Sequence, residues 1–435
     1  MVEFEFITGL SKIKDQNVFY LRFSPQILDF TDKDFEFTIE IFAQGLKIST
    51  SVNRNNFKEI HSLLKQVLFL KDKKVLCWDF KNYCSYYKNN TGRNFNSDCK
   101  ILDLKVLGGL CGLNSKNAPE TFVAAVNTFK TIKGTDYERI YELYEKIHLS
   151  LIRKVIPKIE TKGIVNKKSK RIEFCYYDIE GQENGRLSSS SQFKNCFLPL
   201  NLKKDDKDNF KTIDEDYLFL NFDYKNMEVS VLEFLTKDAN LREVLESGND
   251  FYESLYEKLF SKTCTPDKRN KIKKIFLPYV YGAGPQALAS NCGVSLSSVE
   301  GFIKNIRKMF YRTFDWLDSY SENSGSNIYT NIFGKKRIIN EKYKSRNFIV
   351  QSTASIFCLD KLIDLSNYFK DPNILFYVHD SYLFSCNKKE LDSTAEIIKN
   401  ILLEDGRFFE NIVINVSCEY GDNLNSLKKY TGVLT

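Results

Sequence analysis

The chain has 435 residues, more than one hydrophobic core ordinarily supports, so two to four subdomains are expected. Its 43% hydrophobic and 14% aromatic content excludes extended disorder, and a formal charge of +7 (63 basic against 56 acidic residues) suits a groove for a polyanion without demanding one. Eleven scattered cysteines with no C-x-x-C pair, and only three histidines (His61, His148, His379), argue against a disulfide framework, a zinc-type spacing and a polyhistidine metal site.

The opening decapeptide MVEFEFITGL lacks a basic region followed by a long apolar run, and no apolar stretch approaches the length of a membrane span. An intracellular, cytoplasmic monomer without a membrane partner is expected (in a host cell, if the source is viral). Residues 1–113 mix short β-rich runs (Val18–Phe23, Phe35–Phe42, Lys74–Phe80) with a helix around Phe57–Leu70, the alternation of a small α/β domain. Gly108, Gly109 and Gly112, then Asn114, Ser115, Asn117 and Pro119, mark the first boundary. From Glu120 to about Lys162 the apolar spacing turns helical, with Tyr137, Ile140, Tyr141, Tyr144, Ile147 and Leu151 at steps of three and four. A basic turn follows (Lys167, Lys168, Lys170, Arg171), then a strand-like Ile172–Tyr177 and the polar loop Asn184–Ser190. Tyr217–Phe222 is apolar on both faces, as a central buried strand should be; it ends at Asp223 and passes into a helical pattern from Met227 to Leu235. Residues 236–345 read as mostly helical. Ile374–Val378 and Tyr382–Phe384 flank His379-Asp380-Ser381 as a tight hairpin, and Ile412–Val416 reads as the final strand.

Two of these junctions carry an aspartate. Asp223 stands where a buried strand gives way to a helix and Asp380 at a hairpin tip, so each carboxylate is pushed from an apolar sheet into a cleft. Two carboxylates brought close repel unless a divalent cation sits between them. Two such ions can activate a hydroxyl and stabilise a leaving pyrophosphate in one in-line displacement. Taken singly, either aspartate is equally an ordinary turn residue. The spacing Arg269-x3-Lys273-x3-Leu277-x3-Tyr281-Gly282 keeps these side chains on one slowly turning helical stripe. Two cations one turn apart can grip a triphosphate and the aromatic can stack on a base, although a solvated basic face, with Lys268, Lys271 and Lys274, reads the same way.

Asp223-Tyr224-Lys225-Asn226-Met227-Glu228 resembles the first catalytic motif of family A DNA polymerases, the bacterial polymerase I type. Arg269 to Gly282 is similar to that family's nucleotide-binding helix, with its R-x3-K-x7-Y-G spacing intact, and Val378-His379-Asp380-Ser381 resembles its third motif. Asn184–Ser190 resembles the T-G-R-L-S-S loop, Asn331–Arg337 the L-F-G-R-R-R segment, and Arg346–Ala354 the N-x-x-x-Q-G-T-A helix. Six matches in the family's order, over about residues 165–435, make coincidence implausible.

The resemblance implies an α+β (mixed α/β) right-hand polymerase fold: a shortened thumb at 114–165, palm at 166–235 and 346–435, and fingers at 236–345. Template-directed addition of deoxynucleotides to a primer 3′ end is implied, with primer–template DNA and dNTPs as partners and two Mg²⁺ ions, replaceable by Mn²⁺, as cofactors. By position, Asp223, the Tyr224 backbone carbonyl and Asp380 would hold the metals, and Lys273 and Arg269 the triphosphate. Leu277 lies along the same nucleotide-binding stripe, Tyr281 would stack near the templating base, and Glu228 matches the steric gate against a 2′-hydroxyl. Arg186, Asn347 and Gln351 would read the minor-groove side of the primer terminus, with His379 and Gly282 also against DNA.

Departures from the family are specific. Leu277 stands where Phe or Tyr is usual, Pro278 replaces a Gly, and Asn184 and Ser352 replace Thr and Gly. Ser381 replaces the Glu after the catalytic Asp, leaving one acidic group fewer near the metals. A helix-interior proline costs about 3 kcal/mol if unrelieved, so a kink or break is expected at Leu277–Pro278. Tyr137 to Ile164 is similar to the thumb's helix pair, shortened; fewer phosphate contacts imply low processivity unless a partner clamps the DNA. Residues 1–113 resemble a degenerate RNase H-like 3′–5′ exonuclease domain, with Phe37-Thr38-Ile39-Glu40 and Cys77-Trp78-Asp79-Phe80-Lys81-Asn82 at the motif places. Carboxylates are missing at Thr38 and Asn82, so no proofreading is expected, with Asp79 and Asp103 left as a rearranged pair. A single-subunit RNA polymerase and a non-catalytic, polymerase-derived DNA-binding protein are the alternatives. Glu228 argues against the first, and joint retention of Asp223, Asp380, Lys273 and Arg269 against the second. No 5′-nuclease region precedes these motifs, so replication of a phage or other small replicon is expected.

Overall fold

Two five-stranded sheets organise the computed structural model, which describes residues 4–24, 36–113, 117–134, 137–160, 162–179, 182, 184–189, 198–199, 202–247, 250–322, 327–369 and 374–432. Phe35, Asn114, Ser115 and Ser190, named above, lie outside the described residues. The first sheet contains β1 (Val18–Ser24), β2 (Glu36–Ala43), β3 (Leu46–Asn53), β4 (Lys74–Cys77) and β5 (Lys100–Asp103), in the order β3-β2-β1-β4-β5. β1 is parallel to β4 and β4 to β5, whereas β2 and β3 are antiparallel additions. The apolar run expected over Lys74–Phe80 is a strand only as far as Cys77. Asp79 adopts a left-handed backbone (φ 57°) and turns the chain into the helix Phe80–Thr91. Strand β3 escaped the sequence reading because half of its side chains face solvent and are polar.

Tyr137–Ile164 does not form a pair of helices. Tyr137–Leu143, Tyr144–His148, Leu151–Val155 and Ile156–Glu160 run on as one helix with two π-turns, and the strand β6 (Gly163–Asn166) follows. Ile140, Leu143, Tyr144, Ile147, Leu151, Ile152, Val155, Ile156 and Ile159 are all buried along it. It packs against Phe80–Thr91 on one side and the long helix Lys344–Tyr368 on the other, so it is a spine between the two halves rather than a projecting arm. β6 pairs with β7 (Arg171–Phe174) and β10 (Phe210–Lys211), and β8 (Tyr177–Asp178) with β9 (Ser188–Ser189).

The second large sheet is fully antiparallel, in the spatial order Ile374–Val378, Ser381–Asn387, Tyr217–Lys225, Asn415–Gly421, Lys428–Lys429. Its central strand is β11 (Tyr217–Lys225), which runs two residues past Asp223 instead of ending there, because Val416 and Asn415 still pair with Tyr224 and Lys225 on one side. Asn226, in left-handed backbone, then starts the helix Met227–Thr236. After a small hairpin, β12 (Ile328–Thr330) and β13 (Lys336–Ile338), come β14 (Ile374–Val378), β15 (Ser381–Asn387), β16 (Asn415–Gly421) and β17 (Lys428–Lys429). The last long strand lies three residues beyond the expected Ile412: Ile412 is a buried loop anchor, and Asn415, Ser417 and Glu419 form the strand's cleft-side row. Lys344–Tyr368 backs this sheet and packs on Met227–Thr236.

Between the two parts of the sheet, residues 236–345 build a helical lobe. Its helix Pro266–Val280 is capped by Thr265, whose hydroxyl accepts from the Lys268 amide, with Pro266 in the first turn where no partner for its nitrogen is needed. Of the kink or break expected at Leu277–Pro278, the break does not occur: one helix runs through to Val280. Pro278 falls in the last turn, and the carbonyl it deprives of an amide, Lys274 O, accepts from Cys292 Sγ at 3.7 Å. Among the described residues no helix is long and apolar enough to cross a membrane.

Candidate active site

Asp223 lies on β11 between Ser381 of β15 and Ser417 of β16. Asp380 occupies the two-residue turn joining β14 to β15, where His379 takes φ 58°. The Tyr224 amide donates to Asp380 O at 3.2 Å, which ties the hairpin tip to β11 and brings both aspartates to one end of the sheet. Ser417 Oγ donates to Asp223 O at 3.2 Å, and the Tyr224 hydroxyl points away, donating to Leu402 O at 2.8 Å. Both carboxylates line an open cleft of about 640 Å³ together with Asn221, Ser381 and Glu419.

Burial pushes the Asp223 carboxyl up to about 7, helped by the negative charges of Asp380, Glu419 and Glu228 and opposed by Lys273. Burial likewise pushes Asp380 up to about 6, with Glu228 adding to it and Arg186 and Lys273 opposing. A close carboxylate pair of this kind shares its proton or takes a cation. Two carboxylates in one cleft, both raised by burial and by neighbouring negative charge, suit a hard divalent ion. Among the described residues no third His, Cys, Asp or Glu is already drawn into a ligand group with them.

Cations approach from the helical lobe. Lys273 Nζ and Arg269 Cζ each lie 5.8 Å from the ring centroid of Tyr252, a buried side chain of the helix Phe251–Phe260. Arg269 is held through one edge by Asp250: Nε donates to Oδ1 at 2.9 Å and Nη2 to Oδ2 at 2.6 Å, while Nη1 makes only a 3.5 Å contact to Asn270. Asp250 in turn caps Phe251–Phe260, accepting from the Tyr252 and Glu253 amides. Leu277, half-buried, packs against the core. At the helix end, burial pushes the Tyr281 hydroxyl up, with Glu228 adding to the shift and Arg186 and Gln351 opposing. Gly282 follows with φ 95°, and a Cβ there would come within 2.7 Å of Tyr343 Cβ, so only glycine fits.

The polar loop closes the site from below. Arg186 Nη2 pairs with Glu228 Oε1 at 3.5 Å, and Ser355 Oγ of the long helix donates to Gly185 O at 2.8 Å. Asn184 Nδ2 donates to Gln351 Oε1 at 2.7 Å, and Asn347 stands one helical turn before Gln351. Burial, then Arg186, holds His379 down at about 4, so its imidazole is neutral at ordinary pH. Asp223, Asp380, Glu228, Arg186, His379, Lys273 and Tyr281 thus meet in one neighbourhood, with Arg269 a turn further out. Asp250, Tyr252, Ser417 and Glu419 were missed by the sequence reading. Only the alternation of polar residues along β16 offered a signal for the last two.

In the N-terminal sheet no acidic cluster assembles among the described residues. Glu40 pairs with Arg22 and Lys47 on β2, three strand steps, roughly 14 Å, from the strand of Asp103. The cross-strand neighbours of Asp103 are apolar: Cys77, then Leu21, then Ile41. Asp103, fully buried, spends its oxygens on the amides of Asp79, Phe80, Lys105 and Val106. Lys105 Nζ bridges Asp79 at 2.9 Å and Asp178 at 3.1 Å; burial works against its charge, but the two carboxylates push its pKa up. Asn82 Oδ1 accepts from the Tyr176 hydroxyl at 2.5 Å, and Thr38 lies in β2 opposite Ser24 and Ser51.

Residues 104–426 match the family model for DNA polymerase family A. The chain is 27% identical over 244 residues to DNA polymerase I of Helicobacter pylori (strain J99), covering 52% of this chain and 27% of that protein. It is 24% identical over 242 residues to DNA polymerase I of Bacillus subtilis (51% of this chain, 27% of that protein), and 24% identical over 228 residues to DNA polymerase theta of Caenorhabditis elegans (48% and 14%). Its aligned segment spans about a quarter of the length of the bacterial relatives. In fold it is similar to the POL domain of Pol1 from M. smegmatis, solved in complex with DNA primer-template and dNTP. That likeness has a TM-score of 0.79 at 14% identity and covers 98% of this chain and 99% of the other.

Proposed function

This chain belongs to DNA polymerase family A, and we propose that it extends a DNA primer on a template, adding deoxynucleotides by metal-assisted nucleotidyl transfer between Asp223 and Asp380. The observation that carries this reading is the convergence of those two carboxylates on one cleft, under the charge of Lys273 from the helical lobe. Asp223, Asp380 and the Tyr224 backbone carbonyl would hold Mg²⁺, which would supply Lewis acidity toward the attacking hydroxyl and positive charge toward the phosphates.

The other roles are those that the family motifs imply for these positions, and the side chains' surroundings support them. Lys273 and the free side of Arg269 grip the triphosphate; Asp250 fixes the guanidinium beforehand, so little reorganisation is needed as charge shifts in the transition state. Glu228, steadied by Arg186, stands as the gate against a 2′-hydroxyl. Tyr281 stacks near the templating base, while Leu277 contributes packing to the same stripe. Arg186, Asn347, Gln351, Gly282 and a neutral His379 contact the primer–template end, His379 without adding charge. In the hand description, 166–235 and 346–435 act as palm, 236–345 as fingers and 114–165 as what remains of a thumb.

The N-terminal domain works as structure, without nuclease activity. What supports this is the ammonium of Lys105 between Asp79 and Asp178, together with the apolar neighbours of Asp103. Primer extension with Mg²⁺ tests the whole reading. Asp380→Ala is expected to reduce extension by at least about 10²–10³-fold, and Glu228→Ala to keep extension but admit ribonucleotides. A 3′-labelled primer without dNTPs is expected to keep its label. Normal extension by Asp380→Ala removes the assignment.

A further inference from the structure

We propose that Glu419 is a third carboxylate of this site, holding a divalent cation jointly with Asp223 from the neighbouring strand, where Ser381 supplies none. The inference rests on the polymerase reading above.

Register places it there. On β16, Ser417 lies opposite Asp223 and Glu419 opposite Asn221. Side chains two apart on a strand share a face, so Glu419 is the diagonal neighbour of Asp223 on the cleft side, about 7–8 Å away in backbone terms. A glutamate has one methylene more than aspartate to cover part of that span. On the opposite side of β11, the corresponding places belong to Ser381 and Leu383, and Ser381 Oγ donates to Asn221 Oδ1 at 2.9 Å. Besides Glu228 on the following helix, the acidic complement around Asp223 therefore comes from Asp380 at the hairpin and Glu419 across β16, with a serine closing the β15 side.

Other acidic side chains with a structural task are partnered: Glu40 with Arg22 and Lys47, Glu160 with Lys81, Glu233 with Arg242, Asp250 with Arg269. Glu419 is exposed, lines the cleft, and among the described residues its carboxylate makes no ion pair. Its rotamer is therefore free to swing toward Asp223 when a cation enters. Three carboxylates on one face repel until that happens, and a shared divalent ion offsets the repulsion.

Mn²⁺ serves as the probe, followed by electron paramagnetic resonance on the full chain with a dideoxy-terminated primer–template and the next dNTP. Glu419→Gln is expected to weaken Mn²⁺ binding by about 10–100-fold and to raise the Mg²⁺ concentration for half-maximal extension in the same sense. Adding Ser381→Glu to that variant restores most of the lost affinity, which a merely structural role of Glu419 would not produce. Mn²⁺ binding by Glu419→Gln equal to wild type overturns the proposal. Asp380→Ala separates the two readings: if it loses Mn²⁺ while Glu419→Gln does not, only the role of Glu419 falls, and if both bind as wild type, the aspartate site falls with it. Glu419 is exposed, so its variants keep the wild-type melting temperature.

Discussion

His61 is 8% exposed, ringed by Phe57, Phe69, Tyr83, Tyr87 and Phe95, with Nδ1 2.7 Å from the Tyr83 hydroxyl. Burial, then the charge of Lys65, holds it down at about 4 from an ordinary value of 6.5. Below pH 6.5 the unfolded chain takes up a proton that the folded chain refuses, so stability falls as pH drops from 6.5 toward 4. The full loss is roughly 3 kcal/mol. Asp103 works in the opposite sense over part of that range, since burial and Asp79 raise it to about 6 and its ionisation costs stability as pH rises. The effect of His61 is therefore read as a difference. Denaturation of wild type and His61→Phe at pH 7.5 and 4.5 is expected to show the variant losing less stability on acidification; equal losses would refute the buried neutral imidazole.

At the scale of elements, the helix Pro266–Val280 shows how a local rule yields to position. The full cost of a helix proline belongs to the interior, where a carbonyl is orphaned and the ring meets the preceding turn. Pro278 is two residues from the end, its own carbonyl accepts from the Ala283 amide at 2.9 Å, and Cys292 Sγ reaches Lys274 O. Pro278→Ala is accordingly expected to stabilise the protein by no more than about 1 kcal/mol in urea denaturation, against the roughly 3 kcal/mol of an unrelieved interior proline. A gain near the larger figure would show that the helix is strained after all. The same contrast explains what could be read without coordinates. Tyr217–Phe222 and Ile374–Val378 announced themselves because buried strands are apolar on both faces. β16 was placed three residues too early, since Ser417 and Glu419 face a cleft and carry the polarity of a loop. Asp223, Asp380, Arg269 and Lys273 were legible because each lies in a short segment that resembles a family motif. Asp250 and Glu419 join them only through the folding of distant segments, which no local spacing encodes.

At the scale of the whole molecule, a buried polar knot that no local spacing announces ties the N-terminal part to the spine helix. Lys81 Nζ, on the first helix after β4, donates to Glu160 Oε1 at 2.9 Å and to Tyr177 O at 2.7 Å, and lies 3.4 Å from the centre of the Tyr176 ring. Glu160 ends the spine helix and also accepts from Ser85 Oγ at 2.5 Å and the Tyr177 amide at 2.8 Å. The lysine is 3% exposed and the glutamate 0%, so neither charge reaches water. Burial pushes the Glu160 carboxyl up, while Lys81, Ser85 and Tyr177 pull it back toward ionisation. This knot joins the N-terminal sheet, the spine and the strand β8 that leads into the polar loop of the active site. Removing one charge leaves the other buried, so Glu160→Leu and Lys81→Met are each expected to cost about 3–5 kcal/mol. The double variant replaces the pair by apolar side chains and is expected to fall short of the summed singles by at least about 1 kcal/mol. It still loses something, because the Ser85 hydroxyl and Tyr177 amide lack their acceptor. Urea denaturation of the four proteins measures the coupling directly. Strict additivity, or a single variant costing under about 1 kcal/mol, would mean that the two halves are joined by apolar packing alone and that the N-terminal sheet can part from the spine without disturbing the site.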